Sequence, residues 1–200
     1  TVGIHAASAI YTRLPYDPVR ELAPVTVLAE MPNAIIVHPA VPARTLQELV
    51  DLAKREPGRL SFGSAGSGSS AHLAGEAFLL AAGVRMTHVP YRGSSAALND
   101  LVAGNLQVMF ENLPTVPPLA EAGTVRVLAV TSRDPVTQLP NAPAAREVVP
   151  DYVATAWMTL AAPSGVPAPL LERISADSRA VLNEPAVRER LVALGAIPMA

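Results

Sequence analysis

Cysteine is absent from this 200-residue chain. The protein therefore has no thiol nucleophile, no cysteine-ligated zinc site and no disulfide. Without cysteines, the sequence does not indicate whether the protein resides in an oxidising or a reducing compartment. Lysine is nearly absent as well, since Lys54 is the single lysine beside 14 arginines. The formal net charge is −2, and aromatic residues make up 4% of the chain. Because neither a basic surface nor a set of stacking aromatics is available, we expect no nucleic acid as a partner.

Long apolar runs are also missing. The longest runs are too short to cross a bilayer, so we expect no direct insertion into a membrane. No basic segment followed by an apolar one opens the chain, and the sequence thus predicts no signal peptide within these residues. Half of the residues are nevertheless apolar, which is ample for the core of a globular protein.

Extended and helical patterns alternate along the chain. Residues 25–38 are predicted to be extended, and residues 45–56 form an amphipathic helix pattern with Thr45 as its cap. The later pairs of a strand and a helix are 59–62 with 70–82, 86–91 with 94–104, and 106–112 with 117–123, followed by a strand at 125–132. This alternation predicts an α/β fold with a largely parallel sheet.

A proline-rich loop at 133–150 interrupts the alternation. A second extended segment follows at 153–162, and two helices are predicted at 167–182 and 185–194. The two extended segments, 25–38 and 153–162, flank the central strands and helices. Two such chain crossings predict a hinge between two lobes.

A glycine- and serine-rich loop, "GSAGSGSS" at 63–70, lies between a predicted strand and a predicted helix. Its glycines allow the backbone to approach a ligand closely, and Ser69 or Ser70 can cap the helix. The amides of a helix N-terminus favour an anion. The spacing matches neither a phosphate loop nor a dinucleotide fingerprint, so the prediction is a small-anion pocket. The alternative is a flexible connector.

Five segments closely resemble the Bug receptors, the TctC-like solute-binding proteins of tripartite tricarboxylate transporters. They are "LPYDPVRELAPVTVLAEMPNAIIVHP", "FGSAGSGSSAHLAGE", "HVPYRGSSAALNDLVAG", "VMFENLPTVPPLAEAGTVRVLAVTS" and "LPNAPAAREVVPDYVATAWMTLAAPSGVP". Together they cover nearly the whole chain in the order found in that family. Several long motifs in order are more specific than a single glycine loop.

The resemblance implies a type II periplasmic binding protein fold, in which two lobes close on a small carboxylate. It further implies a periplasmic protein that delivers this ligand to the membrane subunits of a transporter, without catalysis, cofactor or metal. In the family two loops, one from each lobe, hold the carboxylate. The loop of the second lobe corresponds here to Ser64, Ala65, Gly66, Gly68, Ser69 and Ser70. The loop of the first lobe has no counterpart in this sequence.

The resemblance also implies that the chain is part of a longer receptor. Lobe two is expected to be complete and to span 33–157. Lobe one is expected to be only partly represented, by 1–32 and 158–200.

Three further residues are candidates for the ligand site. Glu111 and Asn112 end the strand "LQVMFEN", at the edge of the sheet where α/β proteins collect their ligands. Glu111 suits a ligand that also carries an ammonium group, or it is merely a solvated carboxylate at a strand end. His5, beside Gly3, either faces the cleft or packs inside the protein.

The remaining ionisable residues favour structural roles. His72 packs against its surroundings or adds positive character to the loop, and His38 and His88 fall in strand patterns. Arg92 is expected to pair with Asp100 rather than with a ligand carboxylate. The histidines show no spacing typical of metal ligands.

A hydrolase is the competing class of function. Ser64, His72 and Asp100 supply the residue types of a catalytic triad, yet "SAGSG" is not the nucleophile elbow of such enzymes. A binding protein that serves as the partner of a sensor is a further alternative.

Overall fold

A computed structural model describes residues 12–199. In this part of the chain the strands are β1 (Leu22–Val37), β2 (Ser61–Ser64), β3 (Thr87–Pro90), β4 (Val108–Asn112), β5 (Arg126–Val130), β6 (Thr155–Pro163) and β7 (Ile197–Pro198). The α-helices are α1 (Leu46–Arg55), α2 (Ser70–Ala82), α3 (Ser94–Val102), α4 (Val116–Glu121), α5 (Ala168–Leu182) and α6 (Pro185–Ala193). Short 3-10 turns occupy Leu113–Thr115 and Ala145–Glu147.

The predicted alternation of strands and helices is confirmed, and two helix boundaries follow directly from the sequence. Thr45 caps α1 through a capping box with Glu48, whose carboxylate accepts hydrogen bonds from the amides of Arg44 and Thr45. Helix α2 ends at Gly83, which has a φ of 63° and adopts the left-handed conformation that glycine tolerates best.

The chain divides into two compact units. Unit 2 is Pro32–Thr155. Unit 1 combines residues 1–31 with 156–200, of which the structure describes 12–31 and 156–199. In unit 1 the first part of β1 pairs antiparallel with β7, with Ala29 opposite Pro198. No helix among the described residues combines the length and the apolar character that a membrane span requires.

The strands of unit 2 are ordered β3-β2-β4-β1-β5. Strand β2 pairs in parallel with β3 and with β4, as the alternation predicted. Strand β1 instead pairs antiparallel with both β4 and β5, so the prediction of a largely parallel sheet is wrong for this strand. Its residues 34–37 are apolar and buried on both faces, a pattern typical of a central strand in either direction.

Helices cover both faces of this sheet. On one face α1 and α2 pack on a core that includes Phe62, Phe78 and Phe110. On the other face α3 and α4 pack on a core that includes Ala97 and Met109. Because side chains alternate along a strand, neighbouring residues at a strand end lie over different helices. This alternation decides which of the candidate residues lie near one another.

Candidate functional site

The glycine- and serine-rich loop leads from the end of β2 into α2. Ser69 is the N-cap of α2, and its hydroxyl oxygen accepts a hydrogen bond of 3.3 Å from the amide of His72. Gly66 and Gly68 have φ values of 124° and 81°, which residues with a side chain rarely adopt. Because Ser69 is the cap, Ser70 is the first residue of the helix.

Two amides at the start of α2 lack a hydrogen-bond acceptor in the described part of the chain. They belong to Ser70 and Ala71, the first and second residues of the helix. Ala71 is buried, with 4% of its surface exposed. A buried amide nearly always has a partner, so the amide of Ala71, with that of Ser70 beside it, is ready to receive an acceptor from outside the described residues. Ala71 was not singled out by the sequence analysis, because an alanine offers a site nothing but its backbone.

Ser64 is fully buried at the end of β2, and its hydroxyl group is engaged within the protein. Its oxygen lies 2.7 Å from Nε2 of His88 on β3. The hydroxyl also donates to the carbonyl of Gly66 at 3.1 Å and accepts from the amide of Gly66 at 3.2 Å. The side chain of Ser64 thus fixes the first turn of the loop.

His72 reaches back from α2 to the same loop. Its Nδ1 accepts a hydrogen bond of 3.1 Å from the amide of Gly68. Its ring stacks on that of His88, with ring centroids 4.0 Å apart and an interplanar angle of 26°. Burial, and to a lesser extent the neighbouring His72, lowers the pKa of His88 from 6.5 to about 4.

Glu111 lies on the other face of the sheet. Glu111 is two residues after Met109 in β4, so the two side chains are on the same face of the sheet. The carboxylate of Glu111 accepts hydrogen bonds from Ser94 at the start of α3 and from Thr115. The bond from Thr115 measures 3.0 Å. Burial raises the pKa of Glu111, and the hydroxyl donors only partly offset this effect.

Asn112 lies at the end of β4 on the face of α2, as its alternation with Phe110 requires. It is opposite Asn33 of β1, whose side-chain amide donates to the carbonyl of Phe110 at 2.9 Å. The Oδ1 atoms of both asparagines are buried without a hydrogen-bond partner among the described residues. This end of the sheet therefore offers acceptors as well as donors.

The structure brings Ser64, Ala65, Gly66, Gly68, Ser69 and Ser70 together at the end of β2, with Asn112 on the same face of the sheet. It does not bring Glu111 to this loop. His5 lies outside the described residues. The sequence analysis did not predict the interaction between Ser64 and His88. The pairing of β2 with β3 explains it, because His88 is opposite Phe62, two residues before Ser64.

The triad proposed as an alternative does not form. Ser64 contacts His88 instead of His72, and Asp100 accepts a hydrogen bond of 2.7 Å from the hydroxyl group of Tyr91. The expected ion pair between Arg92 and Asp100 does not form either. Burial and the bond to Asp100 raise the pKa of Tyr91 to about 12. Among the residues that the structure describes, no group of acidic and histidine side chains is arranged to hold a metal ion.

These features define an α/β protein with the fold of periplasmic binding proteins. Rpa4515 of R. palustris with adipate has a TM-score of 0.88 and 35% identity, over 98% of this chain and 66% of that one. MatC (Rpa3494) from Rhodopseudomonas palustris with bound malate has a TM-score of 0.84 and 29% identity, over 98% of this chain and 67% of that one. The predicted fold class is confirmed.

The chain belongs to the TctC family, the receptors of the tripartite tricarboxylate transporter family, whose family model matches residues 2–200. Protein BugT of Bordetella pertussis (strain Tohama I) is 32% identical over 187 residues, which are 93% of this chain and 57% of BugT. The chain spans a similar share, 58–59%, of other curated relatives that it matches. The resemblance to the Bug receptors is thus confirmed, and the family is one of receptors rather than enzymes.

Proposed function

We propose that the protein is a periplasmic receptor that binds a small carboxylate and delivers it to the membrane subunits of a tripartite tricarboxylate transporter. The carboxylate is held by the loop of Ser64, Ala65, Gly66, Gly68, Ser69 and Ser70 at the start of α2. The observation that carries this proposal is the pair of amides at Ser70 and Ala71, which have no acceptor among the described residues.

The charge distribution around α2 supports an anionic ligand. The first turn of α2 contains no acidic residue, and its cap is the neutral Ser69. At the corresponding end of α3, the protein supplies its own carboxylate, since Glu111 contacts Ser94. The positive end of the dipole of α2 is therefore left for a carboxylate from outside the chain. The solved relatives with adipate and with malate are consistent with such a ligand.

Binding by backbone amides leaves selectivity to other parts of the site. We propose that Asn112 contributes to it, because its Oδ1 lies on the face of α2 and has no hydrogen-bond donor within residues 12–199. A hydrolase is disfavoured, because Ser64 is buried and its hydroxyl group already donates to the carbonyl of Gly66.

Replacing Ser70 with proline tests the role of the amide directly. Proline removes the amide hydrogen and is well accepted at the first position of a helix. The preceding Ser69 has a φ of −66° and a ψ of 160°, the extended conformation that a following proline requires. The matched control is Ser70→Ala, which loses the same hydroxyl group but keeps the amide.

Calorimetric titrations with adipate and with malate provide the measurement. We expect Ser70→Pro to bind about three- to tenfold more weakly than Ser70→Ala, the range that one hydrogen bond supplies. Equal affinities of the two variants, at unchanged helix content, would show that this amide does not contact the ligand. Failure of the unaltered protein to bind any member of a wider carboxylate panel would contradict the proposed function.

A further inference from the structure

Two stacked imidazoles hold the loop at both ends. His72 binds the amide of Gly68 near the end of the loop, and His88 binds the hydroxyl group of Ser64 at its start. The two rings contact each other with centroids 4.0 Å apart. The conformation of the loop is thus connected to the protonation states of two imidazole rings.

The hydrogen bonds define the tautomer of His72. An amide N–H can only donate, so Nδ1 of His72 must be unprotonated to accept the bond from Gly68 at 3.1 Å. The ring proton of neutral His72 therefore resides on Nε2. This nitrogen lies 3.7 Å from the Oε1 atom of Glu76 on the next turn of α2.

His88 is bonded to Ser64 through Nε2, which lies 2.7 Å from the hydroxyl oxygen. Two arrangements of the neutral ring make this bond. With its proton on Nε2, His88 donates to the oxygen, and the hydroxyl hydrogen of Ser64 serves the carbonyl of Gly66. With its proton on Nδ1, His88 accepts that hydrogen at Nε2 instead. Burial lowers the pKa of His88 to about 4, which favours the neutral ring.

The surroundings of the ring pair contain few charges. Helix α2 supplies Glu76, whose side chain is 49% exposed. Strand β2 supplies the uncharged Ser64 and Phe62, whose ring centroid lies 4.9 Å from that of His88. Strand β4 supplies Phe110, which packs on Phe62. Within the described part of the chain, neither ring forms an ion pair with a second carboxylate.

We propose that His72 and His88 are positioning residues for the carboxylate loop, which keeps its binding conformation only while Nδ1 of His72 is unprotonated. This inference rests on the proposed function of the loop. Protonation of His72 would place a hydrogen on Nδ1 facing the amide hydrogen of Gly68, and the bond between them would be lost. Protonation of His88 as well would place two cations in stacking distance beside Phe62.

The two ways in which the rings could act give opposite dependences of ligand affinity on pH. If the rings act only through charge, an imidazolium near the loop attracts a carboxylate, and affinity rises as the pH falls. If the rings act by positioning the loop, affinity falls as the pH falls, because the loop loses its bond at Gly68. Acidification would then promote release of the ligand.

The first test needs no ligand. Nitrogen-15 NMR of the whole protein reports the protonation of each ring nitrogen and the shift of the Gly68 amide. We expect His72 to carry its proton on Nε2 at about pH 8, and the Gly68 amide to shift with the same midpoint as His72 on acidification. A proton on Nδ1 at about pH 8, or a Gly68 amide that does not respond to His72, would overturn the inference.

The second test compares two substitutions of His72 in titrations with adipate and malate at about pH 8 and about pH 5. His72→Asn retains an acceptor near the position of Nδ1 and does not titrate, whereas His72→Phe retains only the stacking surface. We expect the unaltered protein to lose about three- to tenfold more affinity than His72→Asn on going to the lower pH, since protonation of the ligand itself weakens both proteins alike. His72→Phe should bind weakly at both pH values.

A loss of affinity on acidification that is no larger for the unaltered protein than for His72→Asn would overturn the inference while leaving carboxylate binding intact. Absence of binding at both pH values would contradict the proposed function instead. In that case the NMR measurement still decides whether the two histidines control the loop.

Discussion

Gly75 of α2 lies directly against the ring of Phe62 in β2. A β-carbon built on Gly75 would come within 2.4 Å of Cε2 of Phe62. The ring of Phe62 is fully buried and contacts Phe110 and His88. The absence of a side chain at Gly75 therefore sets the distance between α2 and the sheet, and with it the position of the carboxylate loop.

Gly75→Ala is expected to destabilise the protein. In an exposed helix this change stabilises by about 0.5–1 kcal/mol, because alanine loses less backbone entropy than glycine on folding. Here the added methyl group would overlap with Phe62, and overpacking of a buried core costs about 1–3 kcal/mol. We therefore expect a lower free energy of unfolding in urea titrations.

Gly165→Ala is the matched control for Gly75→Ala. A β-carbon at Gly165 has no neighbour within 4 Å, and its φ is not in the left-handed region. The control should change the free energy of unfolding by less than about 0.5 kcal/mol. Gly75→Ala at or above the stability of the unaltered protein would contradict the close packing between α2 and β2.

Ser69→Ala is expected to weaken α2 at its N-terminus. The hydroxyl oxygen of Ser69 accepts the amide hydrogen of His72, and loss of such a cap costs about 0.5–2 kcal/mol. Ser70→Ala keeps the cap and should change stability by less than about 0.5 kcal/mol. Thermal unfolding of the two variants, followed by circular dichroism, separates these roles. A larger loss for Ser70→Ala would show that the cap is assigned to the wrong serine.

The elements of the fold were largely predictable because each has a local signal. Thr45 with Glu48 marks the start of α1, and Gly83 marks the end of α2. The direction of β1 has no local signal, since its apolar residues suit a central strand of either direction. Only its pairing with β4 and β5 reveals that it is antiparallel.

The candidate site was predictable only in part. The loop at 63–70 has a distinctive composition at a junction of strand and helix, and the resemblance to the family indicates the same residues. The separation of Glu111 from this loop depends on the register of β4, which the sequence does not specify. Likewise, Asp100 was expected to pair with Arg92. The sequence does not indicate that the neighbouring Tyr91 donates to Asp100 instead.

The hydrogen bond between Tyr91 and Asp100 should contribute about 1 kcal/mol to stability, in the usual range for partly exposed groups. A double-mutant cycle of Tyr91→Phe and Asp100→Ala, each of which removes one partner of the bond, measures the coupling free energy. Because the pKa of Tyr91 is raised from 10.0 to about 12, its contribution is present below pH 10.0 and lost as the pH rises through about 12. Tyr91→Phe should reduce the loss of stability in that window. Additive effects of the two substitutions would contradict the bond.

Glu111→Gln should change the dependence of stability on pH. The folded protein raises the pKa of Glu111 above its ordinary value of 4.5, because burial disfavours the carboxylate. A group with a raised pKa contributes stability below its unfolded pKa, and this contribution is lost as the pH rises through its folded pKa. Glutamine stays neutral throughout, and its amide can still accept a hydrogen bond from Ser94 or Thr115. The free energy of unfolding of Glu111→Gln, relative to that of the unaltered protein, should therefore be higher at about pH 8 than at about pH 5, as urea titrations at both values will measure.

Glu121→Gln, at an exposed position of α4, controls for the loss of one negative charge and should show no comparable trend. A Glu111→Gln protein that loses relative stability toward about pH 8 would mean that Ser94 and Thr115 stabilise the carboxylate more than burial penalises it.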